Sequence, residues 1–382
     1  MRHTIILLLI SFLTMPLAWC GPRQYAFQLH QRIVGVKPSK AVLDQMEQMI
    51  ATDRAEDAIN LAMENPLFYN LRLKQWFKTW SNVESSNRVP LNDLVATAIG
   101  LVRDDEPFNR ILFDDILYVA GNTAPADLAP YAANNNDHYR QIEERRLNLA
   151  QVLVPAGQSG LNGISDSAGV LTSRAYGEAF YSAGTNRRVT RYTFINFLCH
   201  DFESLHDITT PDFRVRRDVD RKPGGDSRVF KSKCVGCHAG QDALGGAWSY
   251  FDFVGGALVY TPATVVPKIN KNNLFSDGHV TMDDGWLNLW ATGQNAYLGF
   301  RGPIVGNGAR QMGTMLANSQ AFSQCMVKRA YKLLCLQEPA SNIGNLTVAQ
   351  LATQFENNQY SMKYLLQQTA LRCPSDEMGG QQ

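Results

Sequence analysis

Three residues within a stretch of five, Cys234, Cys237 and His238, bring two thiols and an imidazole together in a chain with only seven cysteines and seven histidines among 382 residues. Random placement of those residues would produce C-x-x-C-H roughly 0.002 times, so the spacing asks for a chemical reason. Such a cluster can ligate a metal, close a disulfide or anchor a haem. A structural zinc site takes four ligands, usually two close Cys or His pairs. The remaining cysteines, among them Cys199, Cys325, Cys335 and Cys373, make no second C-x-x-C. A thioredoxin-like redox pair would follow a strand in a βαβ setting, which the flanking sequence does not offer. Haem attachment has a physical basis for the same spacing. Two thiols one helical turn apart can each add to a vinyl group on one porphyrin edge, and the adjacent imidazole reaches the iron. The expected cofactor is one covalent haem c, with Cys234 and Cys237 as thioether anchors and His238 as the proximal iron ligand.

The sixth iron position is open among His279, Met282, Met312 and Met315. A methionine would close the iron and suit electron transfer, whereas an empty site would admit peroxide or a gas. Met315 is the preferred ligand, because GNGARQMGTMLANS is a glycine-rich loop leading into a helix, where a flexible thioether can be presented. Trp248, Tyr250 and Phe251 are expected haem-wall aromatics, and Arg228, Lys231 and Lys233 are candidate partners for the propionates. The run GTNRRVTRY at 184–192 reads as a salt-bridged surface. His200 and His206 lack a third ligand and read as structural.

The elements that position these residues begin with a leader. MRHTIILLLISFLTMPLAWCG has a basic start, an apolar run from Ile5 to Leu13 broken only by Ser11, and a small-residue end, the pattern of a secretory signal over 1–19. Leu17-Ala18-Trp19-Cys20-Gly21 resembles a bacterial lipobox with Trp19 in place of a small residue. Cys20 is therefore a candidate lipid tether, with plain cleavage or an uncleaved anchor as alternatives. Export to an oxidising compartment, periplasmic or at the outer membrane, is the working expectation.

Hydrophobic residues make 45% of the chain and charged residues 19%, enough for sizeable cores. Without the leader, 35 Lys+Arg balance 35 Asp+Glu, since 36 less Arg2 is 35. No basic surplus points to nucleic acid. The pattern predicts a mostly α-helical protein. A helical domain is expected over 24–150, with helices over 39–51, from Asp53, from Pro66 through Trp76, from Pro90 through Ile99, from Glu106 through Leu117, and a charged one from Asp137. An irregular arginine-rich connector follows over 151–227, then a cytochrome c-like helical domain over 228–374 and a disordered tail over 375–382. Cys325 and Cys335 lie ten residues apart on a predicted helix, about 15 Å along its axis, too far for one disulfide. Each must pair with Cys199 or Cys373 or stay free, and Cys335 with Cys373 is preferred because it ties the last two helices together.

GCHAGQDALGGAWSYFDFVGG, with its D-x-L-G-x-A after the CH, resembles the haem module of the planctomycete-type cytochrome c family. AGVLTSRAYGEAF and FINFLC upstream, and MLANSQAFSQCMVKRAYKLLCL and FENNQYSMKYLLQQTALRC downstream, are similar to the same family. VATAIGLVRDDEPFNRILFDDIL is a looser match. The resemblance implies an extracytoplasmic electron carrier or a part of a redox assembly, with a redox protein as partner. A haem peroxidase is the enzyme alternative, which a single C-x-x-C-H argues against. An envelope scaffold or sensor with a structural haem is the third reading.

Overall fold

The computed structural model describes residues 21–373. The expected signal segment, Cys20 and the tail over 375–382 lie outside the described residues. The fold is mostly α-helical, with four two-stranded antiparallel ribbons between the helices of the described chain.

Three antiparallel-connected helices, Pro22–Val34, Lys40–Ala51 and Ala55–Met63, open the chain. Ser39 starts the second by accepting from the Val42 N–H, and Gly35 ends the first in the left-handed region at φ 85°. Asp53 does not cap the third helix; it takes φ 56° in the turn, and the helix starts at Ala55. After Pro66 a π turn, Phe68–Leu73, runs into Lys74–Lys78. Asn92 caps Asp93–Arg103 through the Val95 N–H.

The helix expected from Glu106 through Leu117 does not form. Phe108–Leu112 is a 3-10 turn, and Leu117–Ala120 is instead a strand paired with Leu153–Ala156. Distant backbone captures the segment: the Gly169 N–H donates to the Asp114 carbonyl at 2.9 Å. The charged helix is also shorter than expected, Asp137–Glu144, because Asn70 binds the Leu147 carbonyl and the Leu149 N–H and folds the chain around itself.

The C-terminal helices return to the N-terminal ones. Gln320–Cys335 and Met362–Ala370 pack against Pro22–Val34, and Gln367, Lys363 and Arg72 bridge the two regions through Asn60 Oδ1, the Arg103 carbonyl and the Leu333 carbonyl. Asp93, wholly buried at the start of its helix, accepts from the N–H groups of Arg174 and Ala175 and so caps the connector helix Arg174–Phe180. One apolar core runs from Ala26 to Ala370. The expected boundaries near 150 and 227 are therefore not marked by a break in the core. A small second core joins Val215 and Val219 of the connector to Phe230, Val235 and Ala239 of the C-x-x-C-H segment.

The four remaining described cysteines close two disulfides, Cys199–Cys325 and Cys335–Cys373, the second as expected. Among the described residues, no helix is long and apolar enough to cross a membrane.

Candidate functional site

Asp226 begins the segment that carries the cluster, its carboxylate accepting from the Arg228 N–H at 2.9 Å. The helical run that follows widens into a π turn over Phe230–Cys234, then tightens into Val235–Leu244 and ends in the 3-10 turn Gly245–Trp248. Single π turns recur at functional sites. Here the turn ends on the first cysteine.

Two glycines dock this helix. A Cβ on Gly236 would lie 2.7 Å from the His206 ring, and one on Gly240 only 2.1 Å from the Trp290 indole. Trp290 is wholly buried against Phe202 and Phe194, so it has no room to retreat. Gly240→Ala is expected to destabilise the fold by about 1–3 kcal/mol through overpacking, read as a lower denaturant midpoint. An unchanged midpoint would show that Trp290 does not fix the helix.

The same helix carries Cys234, Cys237 and His238, all half-buried, with the Cys237 Sγ 3.4 Å from the Phe202 carbonyl. Cys234 packs on the small second core and Cys237 on the main one, so the two thiols straddle the seam between them. Both are free thiols, unlike the four cysteines closed in disulfides. Burial, with the nearby Glu203 and Asp201 charges, pushes the Cys237 thiol above its usual pKa. A nucleophilic redox cysteine needs the opposite shift. The His238 ring is 28% exposed; its Nδ1 is buried without a hydrogen-bond partner and lies 3.7 Å from Asp242 Oδ2. These residues fit a haem c: two unpaired thiols one turn apart, and beside them an imidazole with one nitrogen turned inward to a carboxylate.

Asp242 and its arginine partners were not among the expected site residues. Arg187 grips the Asp242 carboxylate with two bonds, at 2.6 and 2.9 Å, and Asp218 with two more, at 2.7 and 2.6 Å. Arg216, almost wholly buried, donates its backbone N–H to Asp242 Oδ2 at 3.1 Å. The stretch at 184–192 is thus not a uniform salt-bridged surface: Arg191 pairs with Asp201 at the periphery, while Arg187 turns inward to the C-x-x-C-H helix. Burial opposes ionisation of Asp242, but the Arg216 and Arg187 charges outweigh it and hold the carboxyl well below its usual range. The signal that could have singled out Asp242 is its spacing, four residues after His238 on the same helix.

Beside Cys234 lies a cleft of about 290 Å³ that shares Val215 and Phe230 with the second core. Arg221 stands in it between the Phe230 and Phe275 rings, 4.5 and 4.9 Å from their centroids, and Lys231 and His279 line it as well. Arg228 pairs with Asp226 at the surface, and Lys233 is exposed. Met315 is engaged elsewhere. Its Sδ accepts from Asn288 Nδ2 at 3.4 Å, and it lines a separate cleft with Trp286, Arg301 and Val305 that shares no residue with the cysteines or His238. Met312 is wholly buried, and Met282 is exposed. Trp248 lies inside the main core, its indole N–H donating to Thr190 Oγ1 at 3.0 Å. Tyr250 stands at the core edge near Tyr260, and Phe251 is wholly buried in the ribbon with Tyr260. His200 meets Tyr297 edge to face, and His206 serves the helix contact already described.

Among the described residues, no group of three or more His, Cys, Asp or Glu converges as a metal site. The chain matches no family model, no curated protein and no solved structure.

Proposed function

We propose that the chain is an exported monohaem c-type cytochrome that passes single electrons in the cell envelope to a redox protein partner. The observation that carries this reading is the pair of thiols left free at C-x-x-C-H spacing in a chain whose other described cysteines are all in disulfides. Two disulfides are also what an oxidising compartment favours. When bound, the haem supplies a one-electron iron couple. The chain's own residues would hold it: Cys234 and Cys237 would anchor its edge and His238 would ligate the iron, while the His206 and Trp290 rings keep the helix that presents all three in one orientation.

The mass of the denatured protein tests this directly. It should exceed that of the processed chain by one haem, and neither Cys234 nor Cys237 should react with an alkylating agent. The same mass reads the N-terminus and reports whether Cys20 carries lipid. Two alkylatable thiols and no added haem mass would overturn the proposal.

A peroxidase or sensor reading draws on one observation, the engagement of Met315 with Asn288 away from the cysteines. If Met315 is the sixth ligand, it must give up that contact, and the ferric protein should show the weak near-infrared band of thioether ligation. Met315→Ala should remove the band and admit carbon monoxide. Free binding of carbon monoxide by the unmutated protein, with no such band, would favour an open iron and the enzyme or sensor role.

A further inference from the structure

One carboxylate faces the buried side of the His238 ring. Asp242 follows one helical turn later, is wholly buried, and has Oδ2 3.7 Å from His238 Nδ1. That separation exceeds the ~3.2 Å of a formed hydrogen bond, yet the nitrogen has no other partner. The carboxylate cannot swing away. Arg187 holds both its oxygens, the Arg216 N–H holds Oδ2, and Arg187 is itself held by Asp218. Imidazoles that bind iron or zinc donate their second ring N–H to a carboxylate or carbonyl, which sets the ring orientation and raises its basicity as a ligand.

We propose that Asp242 is the positioning residue of the His238 imidazole, accepting its Nδ1–H so that Nε2 is turned outward and made a stronger donor. This rests on the haem reading above. A stronger donor favours ferric over ferrous iron and lowers the reduction potential. Arg187, drawn from the connector, holds the Asp242 carboxylate in place against the ring with two bonds.

The test compares the full-length haem-loaded protein with Asp242→Asn and Asp218→Asn. Haem staining on a denaturing gel reports attachment, a potentiometric titration reports the midpoint, and the hyperfine-shifted ring resonances of His238 report donor strength. Asp242→Asn should keep its stain, shift the ferrous-to-ferric ratio at fixed potential about tenfold toward ferrous, about 59 mV for one electron, and move the ring resonances. Asp218→Asn removes the same formal charge without facing His238, so it should leave those resonances in place. Equal shifts in both variants with unmoved resonances would reduce the effect to bulk charge and overturn the proposal, as would no shift in either. Should Asp242→Asn fail to fold, the unmutated protein labelled with ¹⁵N-histidine still decides: the His238 Nδ1–H should be protected from solvent exchange, and free exchange would overturn the role of Asp242. An unmutated protein without covalent haem would instead remove the function on which the proposal stands.

Discussion

Alanine at both Cys234 and Cys237 is expected to abolish the haem that survives denaturation, taking the gel stain from full intensity to background while the chain stays folded. Thioether bonds persist when the protein unfolds, whereas a haem held only through iron is lost. The loss is therefore complete and specific to the sulfurs. Folding should persist because both side chains are half-buried and neither closes a disulfide. Removing two sulfurs from the core edges costs roughly 2 kcal/mol, small beside the net stability of a folded domain. Cys234→Ala alone leaves the Cys237 attachment, and Cys237→Ala leaves that of Cys234. Each single variant should then stain weakly. Full staining in the double variant would remove Cys234 and Cys237 as anchors and with them the central claim about this segment.

Opening the Cys199–Cys325 disulfide is expected to have the largest effect on stability. The bond closes 126 residues, and chain entropy alone assigns it about 5 kcal/mol, against about 4 kcal/mol for the 38-residue closure by Cys335–Cys373. A domain with a net stability of about 5–15 kcal/mol can lose much of it in that way. Location adds to the effect. Cys199 ends the π turn Phe194–Leu198 in the left-handed region, and Cys325 is wholly buried in the helix Gln320–Cys335, so the bond staples the connector to the C-terminal helices. The double alanine variant of this pair should unfold at a clearly lower urea concentration than that of Cys335 and Cys373. The reverse order would mean that loop length does not govern these bonds.

The C-x-x-C-H spacing, the helix over 39–51 and the inability of Cys325 to reach Cys335 are all legible in the chain by itself. Each depends on geometry within a few residues, or on a single rise along a helix, which no distant partner can change. Which partner each of them meets is not local: Cys335 with Cys373 is only a preference in the sequence, and the fold sets Cys199 against Cys325. The mostly helical character is local, because apolar residues at three- and four-residue steps can be buried together only on a helix.

Other features were decided by segments far apart in sequence. The stretch after Glu106 has helical periodicity but became a turn and a strand, since a ladder with Leu153–Ala156 satisfied its backbone in place. Arg187 reads as a surface charge, yet it lies under the C-x-x-C-H helix because Asp242, 55 residues later, is buried there and needs compensation. The last helices share their core with the first rather than forming a unit around the cysteines. The reason is common to all three cases. Burying a charge, completing a strand ladder or covering an apolar face is favourable only once a distant partner arrives, and the sequence around either partner does not name the other.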